Sequence, residues 1–300
     1  MLNEANLPSI KALRTFVAVA NNLSFSKAAK ELFVTQGAVS KQISVLEQQL
    51  QQPLFSRHLN GIKLSSAGES YLPKIIEALE IIQYATTSLS TKDHAQEVLT
   101  LNVTPSFASL WLVPRIEAFH HLNNKIQVSI KTGDGLINQT NGDSDLSIRC
   151  LPISQHYENS TLLRRERLVL VASAELMKNN PITCIEDIKK QTLIPHITRP
   201  HLWEQFKKYK GLVYSSQYSA TGFEHFYMSL EAAKDGLGLA LLPDFMVEGS
   251  LQSGDLVNPL NLSMQTSYGY YVFVPSYRLS SRKIYEFSRW LNHRLGKDCN

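Results

Sequence analysis

Gln36, Ser40, Lys41, Ser44 and Gln48 fall on one face of a helix, and all five side chains are of types that can hydrogen-bond. Amide, hydroxyl and ammonium groups in one row suit recognition of a polar surface laid along the helix. Behind them, Val39, Ile43, Leu46 and Leu50 recur at steps of four, three and four, the apolar stripe of a 3.6-residue period. Thr35 is placed to cap this helix, its hydroxyl accepting from a first-turn N–H. A shorter helix, Ser26 to Leu32, precedes it with Ala28, Ala29 and Leu32 as its apolar face, and Phe33, Val34 and Thr35 form the turn. Two helices on so short a turn, apolar within and polar without, make a helix-turn-helix. In that arrangement the second helix would lie in the DNA major groove and read base edges with its N-terminal residues. Taken alone, the pattern also suits a two-helix corner of any core.

Other elements must hold that pair. Ile10, Leu13, Phe16, Val17 and Ala20 mark a first helix packing beneath it, started by Pro8 and Ser9. Pro53 stops the reading helix, and SRHLNGIKLS then reads as a hairpin with Asn60-Gly61 as the turn dipeptide. Beside a helix-turn-helix, such a hairpin is a wing. Arg57, His58 and Lys63 on it would reach phosphates or the minor groove; an ordinary solvated hairpin carries the same residues. Ser66-Ala67-Gly68-Glu69 fits a capping box. A long helix follows to about Leu89, with Leu72, Ile75, Leu79 and Ile82 on an a/d seam. With no partner evident in the head, that seam predicts pairing with a second copy; packing on the next domain is the other use. Pro73 predicts a kink or a weak first turn. Ser90 to Val98 is polar and unpatterned and reads as a hinge.

The chain has 300 residues, 43% hydrophobic and 19% charged, with a formal net charge of +4. That favours a globular protein of two domains. Nine basic residues face six acidic ones through Lys92, against 21 and 20 afterwards, so most of the excess sits where phosphates would be met. An excess this small also fits chance on a solvated face. The sequence offers no membrane-length apolar run and no signal-peptide order, which predicts a cytoplasmic protein without a membrane partner. Cys150, Cys184 and Cys299 have neither metal nor disulfide spacing; redox sensing by Cys150 is one use, an inert thiol the other.

From Val98, strands and helices alternate. Strands are predicted at Val98–Val103, Ile126–Ile130, Asp145–Cys150, Arg167–Ser173, TLIPHI, LGLALLP and Tyr268–Val274. Helices are predicted in TPSFASLWLVPRIEAFHHL, near Ile185–Lys190, in HLWEQFKKY, in FEHFYMSLEAAKDG closed by Gly236, from Asp244, and in SRKIYEFSRWLNHRL. The alternation predicts an α/β domain with a largely parallel sheet. An enzyme on such a sheet would show a nucleophile elbow, a phosphate loop or a metal cluster. The sequence shows none, and Gly236-Leu237-Gly238 stands in the wrong order for a dinucleotide fingerprint. No catalysis, metal or cofactor is predicted. A solute-binding transport protein is the other rival, opposed by the missing signal peptide and by the helix-turn-helix.

AAKELFVTQGAVSKQISVLEQQL followed by PLFSRHLNGIKLSSAGESYLP resembles the LysR-type transcriptional regulators. FEHFYMSLEAAKDGLGLALLPDFMV and EFSRWL resemble the branch containing glycine-cleavage activators and β-lactamase regulators. The resemblance implies a winged helix-turn-helix head at 1–65, a linker helix and hinge at 66–97, and an effector domain at 98–300. That domain would comprise two α/β lobes similar to periplasmic solute-binding proteins, one at about 98–167 and 268–300, the other at about 168–267. It implies a bacterial, nucleoid-associated homodimer assembling to a homotetramer on operator DNA, contacting RNA polymerase if it activates, and answering an unknown small-molecule effector. A regulator independent of ligand is the alternative.

By resemblance, DNA contacts fall on Thr35, Gln36, Ser40, Lys41 and Arg57, with Ser26, Gly37, Ser44, His58 and Lys63 beside them. Gly37 stands where Ser or Pro is usual, and Lys41 where Arg is common. An ammonium lacks the planar fork of a guanidinium, so guanine readout would be softer. Effector contacts fall on Ser106 and Thr104, with Phe107, in the loop after the first strand. Backbone N–H groups and a hydroxyl there can hold a carboxylate or phosphate; a plain N-cap is the other use. Arg149, His225, Phe226 and Tyr270 would face the same cleft; His196 and Trp203 are weaker candidates that read first as packing residues.

Overall fold

The computed structural model describes residues 7–58, 61–90, 97–134 and 144–295, without the side chains of Arg57 and residues 87–90. Two compact units divide the chain near residue 95. In the first, α1 (Ile10–Asn22), α2 (Phe25–Glu31) and α3 (Gln36–Leu50) are each started by a hydroxyl cap: Ser9, Ser24 and Thr35 accept from Ala12, Lys27 and Ala38 N–H. Each cap satisfies a donor that the first turn leaves without a helical partner. Phe16, Val19, Ala28, Val39, Ile43 and Leu46 are buried together. A two-stranded hairpin, β1 (Phe55–His58) and β2 (Gly61–Leu64), follows with His58 opposite Gly61. Gly61 therefore lies in the strand, with φ at +126°, and is not the second turn residue; Asn60 lies outside the described residues.

The linker helix α4 (Ser66–Ser90) corrects two expectations. Its cap is Ser65, one residue earlier than predicted: Ser65 Oγ accepts from Gly68 N–H at 3.0 Å and donates to the Pro53 carbonyl at 2.6 Å. That second bond ties the cap to the loop that follows the reading helix. Close packing follows, since a Cβ on Gly68 would lie 2.2 Å from the Leu54 carbonyl oxygen. The helix continues through Pro73. The seam, moreover, has a partner in the head: Ile75 is buried in its core, with Leu72 and Leu79 partly buried beside it. Ile82, 45% exposed, continues beyond that contact, as does Ile81.

The second unit is built on a seven-stranded sheet. β3 (Glu97–Val103) pairs in parallel with β4 (Ile126–Thr132) and β5 (Leu146–Pro152). β6 (Ser160–Ser173) and β11 (Ser263–Phe273) pair antiparallel, and β11 also pairs antiparallel with β5. The sheet is thus mixed, not largely parallel. The reason lies in β6 and β11, two long strands carrying the chain in opposite directions between two hydrophobic clusters. One cluster holds residues from Leu99 to Leu163, Phe245, Met246 and Tyr270 to Leu295; the other runs from Leu168 to Met264. β6 starts seven residues before the predicted strand, because the charges of RRER hide its alternation.

After β3 comes a helical run: α5 (Pro105–Phe107), a π-turn at Ala108–Leu112, a 3-10 turn at Val113–Arg115 and α6 (Ile116–Leu122). Pro114 breaks it by removing a backbone donor. A short helix absent from the sequence reading, α7 (Ala174–Asn179), follows β6, and Ile185–Lys190 is a 3-10 turn. The predicted TLIPHI strand shrinks to β7 (Thr192–Leu193), paired with β8 (Gln217–Tyr218) after α8 (Leu202–Tyr209). α9 (Phe226–Lys234), β9 (Ala240–Pro243), α10 (Asp244–Ser253), β10 (Leu256–Val257) and α11 (Arg282–Leu295) complete the unit. Gly236, at φ +76°, follows the C-cap of α9 as expected.

Candidate functional site

Residues of two kinds gather in two places. In the head, the Thr35 cap starts α3 at the end of a turn where Phe33 sits at φ +55°, its ring 95% exposed. Gln36, Gly37, Ser40, Lys41 and Ser44 are all exposed, while Val39, Ile43 and Leu46 are buried beneath them. The Ser26 hydroxyl donates to Gln36 Oε1 at 3.0 Å, which ties α2 to the first turn of α3 and turns the amide NH2 outward. A Cβ on Gly37 would meet nothing within 4 Å, so the surface is open there. On the hairpin, Lys63 stands opposite Ser56 and is exposed; the His58 ring lies 3.1 Å from Ser56 Oγ. Arg57 is placed by register alone, opposite Ile62. Such an array can donate to and accept from an extended polar surface at low desolvation cost.

The second place is a cavity of about 290 Å³ in the α/β unit, lined by Thr104, Ser106, Arg149, His225, Phe226 and Tyr270 among others. Thr104 caps α5 through its backbone only. Ser106 Oγ accepts the Tyr227 N–H at 3.3 Å, joining the loop after β3 to the first turn of α9. Arg149 is buried and donates to the Asn102 carbonyl at 2.9 Å and to Asn102 Oδ1 at 2.7 Å. Burial lowers its affinity for the proton, and Asp134 opposes that. His225 Nδ1 lies 3.5 Å from Asp134 Oδ2. Phe107, predicted among the contacts, is not brought to the cavity. It is fully buried and packs on Trp111, Phe245 and Tyr270. Trp203 packs in the core, its Nε1–H donating to the Ile194 carbonyl at 2.8 Å.

His196, in contrast, does line the cavity. Its ring packs on Phe226 at 4.4 Å, and burial, with Arg199 and His225 adding, brings its pKa down to about 4. Beside it lies a group that sequence reasoning missed. Glu166, 0% exposed, accepts from Arg199 Nη1 at 2.6 Å and from Thr266 Oγ1 at 2.8 Å. Burial works against the Arg199 charge, but Glu166, Cys150 and Tyr270 together outweigh it and keep Arg199 ionised. Arg199 also lies 4.3 Å above the Tyr268 ring and donates to Cys150 Sγ at 3.3 Å. The Cys150 thiol is pushed well up, first by burial and then by Glu166, so it is held as an inert thiol.

The model of the bacterial regulatory helix-turn-helix protein, lysR family, matches residues 10–69, and that of the LysR substrate binding domain matches residues 92–296. The chain belongs to the LysR family. The glycine cleavage system transcriptional activator of Escherichia coli K12 is 34% identical over 286 residues, covering 95% of this regulator and 93% of that relative. The carbapenem-hydrolyzing beta-lactamase transcriptional activator of Enterobacter cloacae is 32% identical over 291 residues, covering 96% of each. Among solved structures, full-length LysG from Corynebacterium glutamicum, with bound effector Arg, superposes with a TM-score of 0.62 at 18% identity over 94% of this chain and 96% of that one. This LysR regulator thus has a helix-turn-helix head and a mixed α/β effector-type domain. Among its described residues, no His/Cys/Asp/Glu group could hold a metal, and no helix is long and apolar enough to cross a membrane. Its family and its relatives' names are those of transcription regulators, not enzymes.

Several cavity residues of this regulator carried no sequence signal. Asp134, Leu151, Thr198, Arg199, Glu224 and Tyr268 come from five separate loops or strands with no shared periodicity. The one available clue was an acidic residue, Glu166, between basic neighbours in an otherwise apolar stretch.

Proposed function

We propose that this regulator binds operator DNA sequence-specifically through α3 and responds to a small-molecule effector held in the 290 Å³ cavity. The observation that carries the reading is the outward row of α3: Gln36, Ser40, Lys41 and Ser44 are exposed on a capped helix whose other face buries Val39, Ile43 and Leu46 in the core. Lys41, Arg57 and Lys63 position the head on phosphates, while Gln36, Ser40 and Lys41 read bases. Thr35, Gly37, Ser26 and His58 shape that surface. Thr104, Ser106, Arg149, His225, Phe226 and Tyr270 surround the effector, and LysG, with its bound effector, supports a ligand-bearing domain of this fold.

The two halves of the effector domain act as lobes, divided at about 167 and 268. Support comes from the two hydrophobic clusters and from the strands β6 and β11 between them. A ligand gripping both lobes shifts their packing only as far as it binds one arrangement better than another. The exposed end of α4, with Ile81 and Ile82, pairs with a second copy, and dimers assemble to a cytoplasmic, nucleoid-associated tetramer; an activator would further engage RNA polymerase. The test is a double substitution in each region. Ser40→Ala with Lys41→Ala lowers the ratio of specific to nonspecific DNA binding; an unchanged ratio sinks the assignment of α3. Ser106→Ala with Arg149→Ala abolishes any ligand response while operator binding stays, and a surviving response moves the effector site elsewhere. Mapping bound DNA genome-wide names the operators.

A further inference from the structure

β6 and β11 each run through both hydrophobic clusters. On β6, Leu163 lies in one and Leu168 in the other; on β11, Tyr270 and Met264 divide in the same way. Between those points the pairing of the two strands breaks. Gln265 stands opposite Arg167 and Gly269 opposite Arg165, so Thr266, Ser267 and Tyr268 meet Glu166 alone. Such a bulge interrupts the ladder and lets the strands bend.

Side chains take over where the ladder stops. The Gln265 amide donates to the Glu166 carbonyl at 2.8 Å. Thr266 Oγ1 donates to the Glu166 carboxylate at 2.8 Å and accepts the Tyr268 N–H at 3.1 Å. Arg199, the other partner of that carboxylate, comes from a distant loop. It stands between β7 and α8, where Ile194 and Leu202 belong to the cluster that runs from Leu168 to Met264. Its guanidinium reaches back to the crossing, 2.6 Å from Glu166, 3.3 Å from Cys150 Sγ and 4.3 Å above the Tyr268 ring, with the Phe226 ring at 5.4 Å. One cation thus joins that loop to β5, β6 and β11. The Glu166 side chain is 0% exposed and that of Arg199 18%, so little water competes for the pair. Arg199, Cys150, Tyr268 and Phe226 also line the cavity.

We infer that Arg199 is a positioning residue for the effector response: docked on Glu166, it fixes the angle at which β6 and β11 cross, and a cavity occupant acts on the lobes through it. The link to an occupant rests on the effector reading of the cavity; the hold on the crossing does not. Arg199→Ala removes the atoms of an ethylguanidinium ion. The space left is walled by the Glu166 carboxylate and by the rings of Tyr268 and Phe226, and it opens on the cavity. A carboxylate beside aromatic faces favours a planar cation there.

The test is amide hydrogen exchange of the full chain, read by mass spectrometry. Exchange at the crossing, residues 163–168 and 264–270, is compared with exchange in β3 and β9, which lie in different clusters. In Arg199→Ala, exchange at the crossing is expected to rise at least about tenfold more than in β3 and β9. A merely structural pair would loosen all of these segments together. Millimolar ethylguanidinium should return the crossing to the parent rate, and ethylurea, of the same shape without the charge, should not. An even rise, or none, overturns the hold on the crossing. A selective rise that ethylguanidinium leaves unchanged overturns the link to a cavity occupant. If Arg199→Ala does not fold, Arg199→Lys carries the test, since an ammonium keeps the charge but cannot span Glu166 and Cys150 while stacking on Tyr268. Without a selective rise in that variant, the hold is likewise overturned. Failure of the effector reading shows separately, as an unchanged response on DNA in Ser106→Ala with Arg149→Ala.

Discussion

The outward face of α3 and the cavity beside α9 are both polar, yet they are built in opposite ways. On the outward row of α3, Gln36, Ser40, Lys41, Ser44 and Gln48 are exposed, and the partners at its start lie within ten residues: Thr35 caps Ala38, and Ser26 reaches Gln36. In and beside the cavity, Ser106, Arg149, His196 and Glu166 are buried, and partners are distant in sequence, as with Glu166 and Arg199, or Ser106 and Tyr227. Groups on α3 keep their hydration until a partner arrives, so they are free to vary without cost to the fold. Cavity groups have already lost their water and depend on one another. Changes on α3 should alter binding, and changes in the cavity should alter stability as well.

The sharpest way to break that contrast is Glu166→Ala. It leaves the Arg199 charge buried without its carboxylate, and we expect a loss of about 3–5 kcal/mol in denaturant unfolding of the full chain. A cost below about 1 kcal/mol would erase the distinction. Next comes His196. Because its folded pKa of about 4 lies below the usual value near 6.5, its stabilising contribution is full above pH 6.5 and is lost as pH falls toward 4. The loss amounts to about 3 kcal/mol, and His196→Phe should flatten the stability curve across that window. In the head, Thr35→Ala removes only a cap and should cost about 1 kcal/mol. Gly37→Ala meets open space and should stabilise α3 by up to about 1 kcal/mol, read as a raised Tm. Smallest in stability is Lys41→Ala, within about 0.5 kcal/mol of the parent. Its effect belongs to binding instead, where the slope of log affinity against log salt should fall by about one.

The same contrast governs what the sequence revealed. The head was legible because its logic is local: Val39, Ile43 and Leu46 repeat with the helix period, and Thr35 sits where a cap must sit. Even its error was local, since Ser65 and Ser66 are neighbours at the start of α4 and the bonds to Gly68 N–H and the Pro53 carbonyl favour Ser65. The seam on α4 misled for a different reason. Periodicity says that Leu72, Ile75 and Leu79 share a face, but not that the head itself covers it. In the α/β unit the alternation of elements was readable, while the direction of pairing was not. No pattern in RRERLVLVAS announces that β11, about a hundred residues later, will lie antiparallel to it. Ser106, Arg149, His225, Phe226 and Tyr270 were reached only through resemblance, and Glu166 and Arg199 not at all.

The long reach of β11 also sets an order of assembly. Tyr270 pairs with Cys150, and Phe287, Trp290 and Leu291 fill the cluster begun by Leu99 and Leu101. Contacts this far apart in sequence close late and slowly. During synthesis the head, whose described core needs nothing beyond Leu79, can fold on emergence. The strands from β3 to β5 must wait, their apolar faces open, until the stretch from Ser263 to Leu295 has left the ribosome. Over that interval the nascent protein has a finished head and an unsealed sheet, so the sheet is the part that would call on chaperones.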